Sequence, residues 1–268
     1  MWRRRRERAI EEADWSAVLD AVPILDPLDD DERARLRGLA ERFIATRSIE
    51  PMLDQRLGPV DAAVIAAQAC LPVLALGLDA YASWRTVVVY PAGFVARGQE
   101  VDEAGVEHEW EEERSGESWS GGPVVLSFED VEASGQGEGY NVVIHEVAHK
   151  LDMLDGDANG RPPLHRGMDA VAWSRDFGAA FDDLNRCIDA GEVPPLDEYA
   201  AEEPGEFFAV ASECFFETPA ELDSAFPRVY GHLRDFYRQD PLARLARRGG
   251  ERGRSVRACP VPGKAACE

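Results

Sequence analysis

The chain has 268 residues, of which 51 are acidic and 29 are basic, so its formal net charge at pH 7 is −22. A surface that binds nucleic acid must neutralise phosphates, and this charge therefore argues against direct binding of DNA or RNA. With 45% hydrophobic residues and no dense linker, the chain can bury a substantial core and fits one compact domain or a domain with a small subdomain.

The first 14 residues form a basic segment that is expected to be flexible. Arginines occupy positions 3 to 6, but Glu11, Glu12 and Asp14 stand where a signal peptide needs an apolar core, so no export signal is predicted. The five cysteines are scattered, without the Cys-x-x-Cys pairs or the dense spacing of a disulfide scaffold. A reducing, cytoplasmic location is therefore expected.

Helices are predicted along much of the chain. Residues 29–32 are a typical helix start, because a run of acidic residues precedes apolar residues at helical spacing. The longest apolar run, residues 62–78, is interrupted by Gln68 and Pro72, which favours a buried helix over a membrane span. Residues 171–190 carry an aromatic stripe that is typical of a helix packed on a core.

Two short β-rich runs, residues 86–90 and 123–128, are the predicted strands of a small sheet. The second run is a candidate edge that holds a substrate backbone by strand addition, with a plain core strand as the alternative. Residues 97–122, rich in Gly, Glu and Ser, are predicted to form an ordered acidic loop near the site or a partner surface.

The most informative pattern is the motif His-Glu-Val-Ala-His at residues 145–149, which reproduces H-E-x-x-H. Histidines four residues apart on a helix project from the same face, so His145 and His149 are predicted to grip one zinc ion. Glu146 then faces the open position of the metal and acts as the general base. The alternative, two hydrogen-bonded core histidines beside an ordinary helical glutamate, is less favoured because the chain has only five histidines.

Asp152 follows three residues after the second histidine, on a nearby face of the same predicted helix. Histidines that bind zinc usually donate their second ring N–H to a carboxylate or a carbonyl. Asp152 is therefore a candidate acceptor for such a ring N–H. An ordinary polar residue at the end of the helix is an equally good interpretation.

Two histidines do not complete a catalytic zinc site, which needs a third protein ligand. A third histidine six residues after the second is excluded, because that position is Asp155. A glutamate from a second helix is the other common solution, and residues 204–217 supply that helix, with Pro204 suited to its first turn. Glu206 and Glu213 share one side of it, and periodicity alone leaves open which of them binds the metal.

Beyond this helix, residues 244–268 are rich in Arg, Gly and Pro and poor in apolar residues. Such a composition cannot bury enough apolar surface to offset the entropy of ordering the chain. The segment is therefore predicted to be a disordered tail.

Residues 139–152 resemble the Mlc titration factor A (MtfA) family, bacterial zinc metallopeptidases whose active site is similar to that of anthrax lethal factor. The resemblance covers residues 15–243 and is far more specific than the five-residue motif. It implies a mainly helical α+β fold of the zincin-like, gluzincin type, with a small β-sheet beside the active-site helix. The further segments that carry the resemblance are residues 71–78, 90–91, 115–119, 122–126, 155–157 and 236–242.

The resemblance also implies roles for individual residues. The family's third zinc ligand is a glutamate seven residues after a tyrosine, which here makes Glu206 the ligand and Tyr199 the tyrosine. Tyr199 is then expected to donate its phenol O–H to the oxyanion that forms on the scissile carbonyl. Glu213 is left to support a ligand or to pack the helix.

The expected function is that of a zinc-dependent peptidase with one zinc ion per chain. The resemblance further implies aminopeptidase-type activity on short peptides and interaction with Mlc, a glucose-responsive repressor. The alternative is a non-catalytic zinc-containing module that sequesters a transcriptional repressor. A structural zinc site is closed by four protein ligands, and only three are indicated here, which favours catalysis.

Overall fold

The computed structural model describes residues 9–101, 107–114, 116–118 and 121–255, without the side chains of residues 94–120 and 249–255. The α-helices are α1 (Glu12–Ala21), α2 (Asp30–Thr46), α3 (Pro59–Cys70), α4 (Phe128–Ala133), α5 (Val142–Asp152), α6 (Ala170–Asp189), α7 (Pro204–Glu217), α8 (Pro219–Ala225), α9 (Pro227–Tyr237) and α10 (Pro241–Ser255). The strands are β1 (Ser48–Pro51), β2 (Thr86–Tyr90), β3 (Phe94–Val101), β4 (Glu107–Arg114), β5 (Gly116–Ser118) and β6 (Val124–Ser127).

The main sheet has four strands in the order β1-β2-β6-β5. The first three run parallel, and β5 pairs antiparallel with β6. Strands β2 and β6 confirm the two predicted strands. Of the two interpretations of residues 123–128, the core strand is confirmed and the substrate edge is wrong, because β6 is paired on both sides and all four of its residues are buried. The edge strand beside it is β5.

Strands β3 and β4 form a separate antiparallel hairpin, paired from Phe94 opposite Arg114 to Val101 opposite Glu107. The loop predicted over residues 97–122 is therefore wrong for much of its length. The hairpin escaped prediction because its strands, FVARGQEV and EHEWEEER, contain few apolar residues and lack the regular apolar–polar alternation that indicates a strand.

Side-chain caps fix the helix starts that the sequence predicts. Asp29 accepts the N–H of Glu32, and the Glu32 side chain accepts the N–H of Asp29, which forms a capping box at the start of α2. Asn141 caps α5, because its Oδ1 accepts the N–H of Ile144 at 2.9 Å. These caps satisfy N–H groups that have no partner within the helix.

The core surrounds α5 and α7, which pack against each other. Every residue of α5 except His145 is buried, and so is every residue of α7 except Pro204 and Glu206. The mainly helical α+β class predicted from the sequence is confirmed. Among the described residues, no helix combines the length and the apolar content that a membrane crossing requires.

Both ends of the described chain are more ordered than the sequence predicts. Ile10 is buried, its N–H donates to Glu41, and α1 begins at Glu12, so the flexible segment expected over residues 1–14 does not extend that far. At the other end, residues 244–255 belong to α10, which corrects the predicted disordered tail. Residues 1–8 and 256–268 lie outside the described residues.

Ion pairs explain the attachment of α10. Arg244 is buried and lies 2.8 Å from Glu32, and Arg248 lies 2.7 Å from Asp26. These contacts join residues more than two hundred positions apart, so composition within the segment cannot reveal them. Together with Leu242, which packs against the core, they hold the first turns of α10.

Candidate metal centre

Three side-chain atoms converge where α5 meets the start of α7. The Nε2 atoms of His145 and His149 are 3.1 Å apart, and Glu206 Oε2 lies 3.0 Å from the first and 3.2 Å from the second. A tetrahedral zinc ion with bonds of about 2.0 to 2.1 Å keeps its ligand atoms about 3.3 Å apart. The three atoms therefore form a triangle of nearly the size that such an ion needs, and this group could hold a metal ion.

Helix geometry produces this convergence. His145 and His149 are one turn apart on α5, and Glu206 lies in the first turn of α7, directly after Pro204 at the helix start. The side chains are 12% exposed for His145, 11% for His149 and 19% for Glu206, within an otherwise buried pair of helices. The three groups thus form the accessible part of the α5–α7 contact.

The charges of the site favour a cation between the three groups. Although burial opposes ionisation, hydrogen bonds to His145 and His149 lower the pKa of Glu206 well below its ordinary value. Burial alone lowers the pKa of His145, but the carboxylates of Glu206 and Glu213 raise it well above its ordinary value. A carboxylate that stays ionised against two imidazoles is an environment suited to a metal ion.

Glu213 lies on the far side of His145. Its Oε1 is 2.8 Å from Nδ1 of His145, and its Oε2 accepts the backbone N–H of Asn141. An Nδ1–H that donates to this carboxylate leaves the lone pair of Nε2 directed at the triangle. Of the two glutamates that periodicity left open, the structure therefore brings Glu206 to the histidine Nε2 atoms and Glu213 to the opposite ring nitrogen.

A buried polar network continues from Glu213. The side-chain amide of Asn141 donates to Glu217 at 2.8 Å and to Gln68 at 2.7 Å. Glu217 also accepts the N–H groups of Gly135 and Gly137, so it holds the loop that leads into α5. No motif in the sequence indicates this network directly. The spacing of glutamates at 206, 213 and 217 along one face of α7 is the signal that could have indicated it.

Glu146 is 3% exposed and follows His145 on α5. One turn later, Lys150 donates from Nζ to the carbonyl of Gly122 at 3.0 Å, and burial lowers the pKa of Lys150 to about 8 against the opposing charge of Glu146. This hydrogen bond attaches helix α5 to the segment just before β6. Glu146 is thus a buried residue of α5 directly after the candidate ligand His145.

Tyr199 lies on a short 3-10 helix, Glu198–Ala201, that precedes α7. The carboxylate of Asp197 caps this turn by accepting the N–H of Tyr199 at 2.9 Å. The half-buried phenol ring has its centroid 5.9 Å from that of His145, at an interplanar angle of 38°. The structure thus brings Tyr199 to the same site as the motif histidines, more than fifty residues away in sequence.

Asp152, the remaining candidate from the sequence, is the last residue of α5 and is fully buried. Its Oδ2 accepts the N–H groups of Asn159 at 2.8 Å and Gly160 at 2.7 Å. One of its two predicted roles, a polar residue at the end of the helix, is thereby accounted for.

The chain combines a mainly helical α+β fold with two motif histidines and a glutamate that meet at one centre. This combination is typical of metallopeptidases. Residues 1–238 match the model of the glucose-regulated metallopeptidase family M90, and the chain belongs to this family. The proteins named Mlc titration factor A are similar over most of their length, which confirms the family resemblance seen in the sequence. The homologue from Serratia proteamaculans is 40% identical over 95% of this chain and 98% of its own, and that from Yersinia enterocolitica is 39% identical over 92% and 93%.

Proposed function

We propose that the chain is a zinc-dependent peptidase that holds one zinc ion through His145, His149 and Glu206. The convergence of two imidazole nitrogens and one carboxylate oxygen, with separations of 3.0 to 3.2 Å, carries this proposal. Two histidines and a glutamate are a ligand set that suits zinc. Three protein ligands are typical of catalytic zinc sites, which keep one position open, whereas structural sites use four.

When bound, zinc would polarise the substrate carbonyl and lower the pKa of a water molecule at its open position. Glu146 is proposed to take a proton from the attacking water and to deliver it to the leaving amine nitrogen as the peptide bond breaks. Tyr199 is proposed to donate its phenol O–H to the carbonyl oxygen as negative charge develops there. The placement of both residues beside His145 supports these roles.

The substrate backbone is proposed to lie along β5. This strand pairs with β6 on one side, and the described sheet has no strand on its other side. It also packs against α5, which carries the motif histidines. An extended peptide can add to such an edge through main-chain hydrogen bonds, which accept many sequences. Strand β5, and not residues 123–128, is therefore the proposed substrate edge.

Replacement of Glu146 by Gln tests the mechanism. The amide cannot accept the proton of the attacking water, so turnover should fall by about 10² to 10⁴-fold while one equivalent of zinc is retained. Metal analysis and hydrolysis of a fluorogenic peptide measure the two effects. Undiminished turnover with zinc retained would contradict the assigned role.

Replacement of Glu206 by Gln tests the ligand set in the same assays. Loss of the anionic ligand should remove both zinc and activity. Glu203→Gln is a matched control, because Glu203 is exposed and lies three residues earlier in the same segment. If Glu206→Gln bound as much zinc as this control, the assignment of Glu206 as a ligand would be contradicted.

Aminopeptidase-type activity is the finer part of the proposal and rests on the family resemblance. Peptides that differ only in N-terminal acetylation distinguish it from internal cleavage. An aminopeptidase should lose activity on the acetylated peptide, whereas an endopeptidase should cleave both at similar rates. Equal cleavage would leave the peptidase assignment intact and overturn the exopeptidase preference.

A second candidate function is the binding of a transcriptional repressor. The name of the relatives, Mlc titration factor A, and the description of the family as glucose-regulated favour Mlc as the partner. Capture of purified Mlc by the wild-type and Glu146→Gln proteins tests this function. Binding retained by the inactive variant would show that sequestration needs no chemistry, and absence of binding by the wild type would exclude it.

A cytoplasmic location is proposed together with these functions. Cys70, Cys187 and Cys214 are free thiols, as expected in a reducing compartment. The net charge of −22 suits peptide and protein partners better than nucleic acid.

A further inference from the structure

Two buried polar atoms at the end of α5 have no hydrogen-bond partner among the described residues: Nδ1 of His149 and Oδ1 of Asp152. Asp152 is 0% exposed and follows His149 by three residues, so both side chains lie on one face of the helix. An unpaired buried polar atom destabilises the fold, because it loses its hydrogen bonds to water without gaining others. A donor and an acceptor that are both unpaired on adjacent turns point to a missing contact between them.

The chemistry of a metal-bound imidazole supplies that contact. His149 presents Nε2 to the ligand triangle, so its ring proton must reside on Nδ1 when the metal is bound. Nδ1–H then needs an acceptor, and Asp152 Oδ1 is an unpaired one on the same helix face. His145 already has the equivalent arrangement, in which its Nδ1 lies 2.8 Å from Glu213.

The second oxygen of Asp152 organises the other half of the site. Oδ2 accepts the N–H groups of Asn159 and Gly160, which holds the loop after α5 in place. The carbonyl of Gly160 is fixed in turn by Nε1–H of Trp173 at 2.9 Å. Asp152 thus fixes the loop from one side while Trp173 fixes it from the other.

This loop packs against the first turn of α7, where Glu206 lies. Gly160 has φ +76°, and a Cβ there would lie 2.4 Å from the carbonyl oxygen of Pro204. Gly205 also packs on Ala158, although less closely, since a Cβ at Gly205 would lie 3.3 Å from the Cβ of Ala158. The position of Glu206 therefore depends on the loop that Asp152 holds.

We propose that Asp152 is a positioning residue that sets both His149 and Glu206 for metal binding. Oδ1 accepts the Nδ1–H of His149, and Oδ2 anchors the loop that supports the start of α7. The inference rests on the proposed metallopeptidase function and adds one residue to it. Loss of a carboxylate that supports a ligating histidine typically weakens metal affinity about 10 to 100-fold.

Asp152→Asn is the variant that tests the proposal. The amide oxygen still accepts N–H groups from the loop, but the NH₂ group cannot accept the proton of His149 Nδ1. Asp176→Asn is the matched control, because Asp176 is another buried carboxylate with several partners, none of which is a candidate ligand. Three measurements are made on each protein: zinc affinity by competition with a chelator, the absorption spectrum of the cobalt-substituted form, and thermal unfolding without metal.

Asp152→Asn should weaken zinc binding by about 10 to 100-fold and shift the cobalt spectrum, whereas Asp176→Asn should change neither. Asp176→Asn should lower the metal-free unfolding temperature, which shows that loss of stability alone does not weaken zinc binding. If Asp152→Asn had the zinc affinity and the cobalt spectrum of the wild type, the proposal would be overturned. Asp152 would then only hold the loop after α5. Failure of the wild type itself to bind zinc would instead contradict the proposed function.

A structure of the zinc-loaded wild-type protein gives a second test that needs no variant. The proposal expects His149 Nδ1 and Asp152 Oδ1 to lie within about 2.7 to 3.2 Å of each other. A separation beyond hydrogen-bonding range, or another acceptor on Nδ1, would overturn it even if Asp152→Asn failed to fold.

Discussion

The position of Tyr199 in the candidate site depends on a local helix cap. Its ring lies beside His145 because Asp197 fixes the backbone of the short helix before α7. A phenol that donates only to the developing oxyanion stabilises the transition state more than the bound substrate. Its loss should therefore reduce the catalytic rate and leave metal binding unaffected.

Tyr199→Phe should retain zinc and the KM for a peptide, with kcat reduced about 10² to 10³-fold, the loss typical of one oxyanion donor. Steady-state kinetics together with metal analysis measure both effects. Tyr90→Phe is the matched control, since it removes one phenol from strand β2. A raised KM with unchanged kcat in Tyr199→Phe would show that the phenol binds substrate instead.

At the same scale, Glu206 and Glu213 show where sequence reasoning stops. Residues seven apart on a helix face the same way, so periodicity selects the face and gives no information on position along the axis. The crossing of α5 over the start of α7 decides the matter, because it brings Glu206 to Nε2 and Glu213 to Nδ1 of the same histidine. Periodicity within the helix therefore cannot choose between the two glutamates, whereas tertiary packing can. The family resemblance had already indicated Glu206.

Helices α6 and α9 are joined by Asp176. Its carboxylate lies 2.8 Å from Arg175, 3.0 Å from His232 and 3.3 Å from Arg228. Arg175 and His232 hold the pKa of Asp176 well below its ordinary value of 3.8, despite the opposing effect of burial. The folded protein therefore keeps this group ionised at pH values where the unfolded chain binds a proton.

The resulting stabilisation should be present above about pH 4 and lost as the pH falls below it, because the unfolded state then binds more protons. Asp176→Asn should lower the unfolding free energy by about 1 to 3 kcal/mol at neutral pH and by less near pH 3. Urea unfolding with chelator present measures this difference without interference from metal. Exposed Asp182, on the same helix, gives the control variant Asp182→Asn. A deficit that is equal at both pH values would contradict the prediction.

Elements differ in how far the sequence determines them. The start of α2 follows from the acidic run at residues 29–32 and the apolar residues after it, and the structure confirms it. The β3–β4 hairpin and α10 were missed for a shared reason. In neither case does the composition of the segment reveal its partner: each hairpin strand pairs only with the other in the described sheets, and Arg244 and Arg248 attach α10 to residues near the other end of the chain.

At the scale of the whole molecule, the proposed metal links stability to zinc concentration. A ligand that binds only the folded state stabilises it by about 2.7 kcal/mol at one hundred times its dissociation constant. For a domain of this size that corresponds to a rise of about 5 to 10 °C in Tm. Thermal unfolding with added zinc and with a chelator should show this difference in wild type and not in Glu206→Gln. A Tm that does not respond to zinc in the wild type would contradict the prediction.

The contact between the end of the H-E-x-x-H helix and Glu206 joins residues 57 positions apart, with α6 between them. A metal held across this distance acts as a reversible cross-link. It closes a long loop in the way that a disulfide does, but without dependence on redox state. In a reducing compartment, where disulfides do not persist, the supply of zinc would then determine how long this part of the core resists opening and proteolysis.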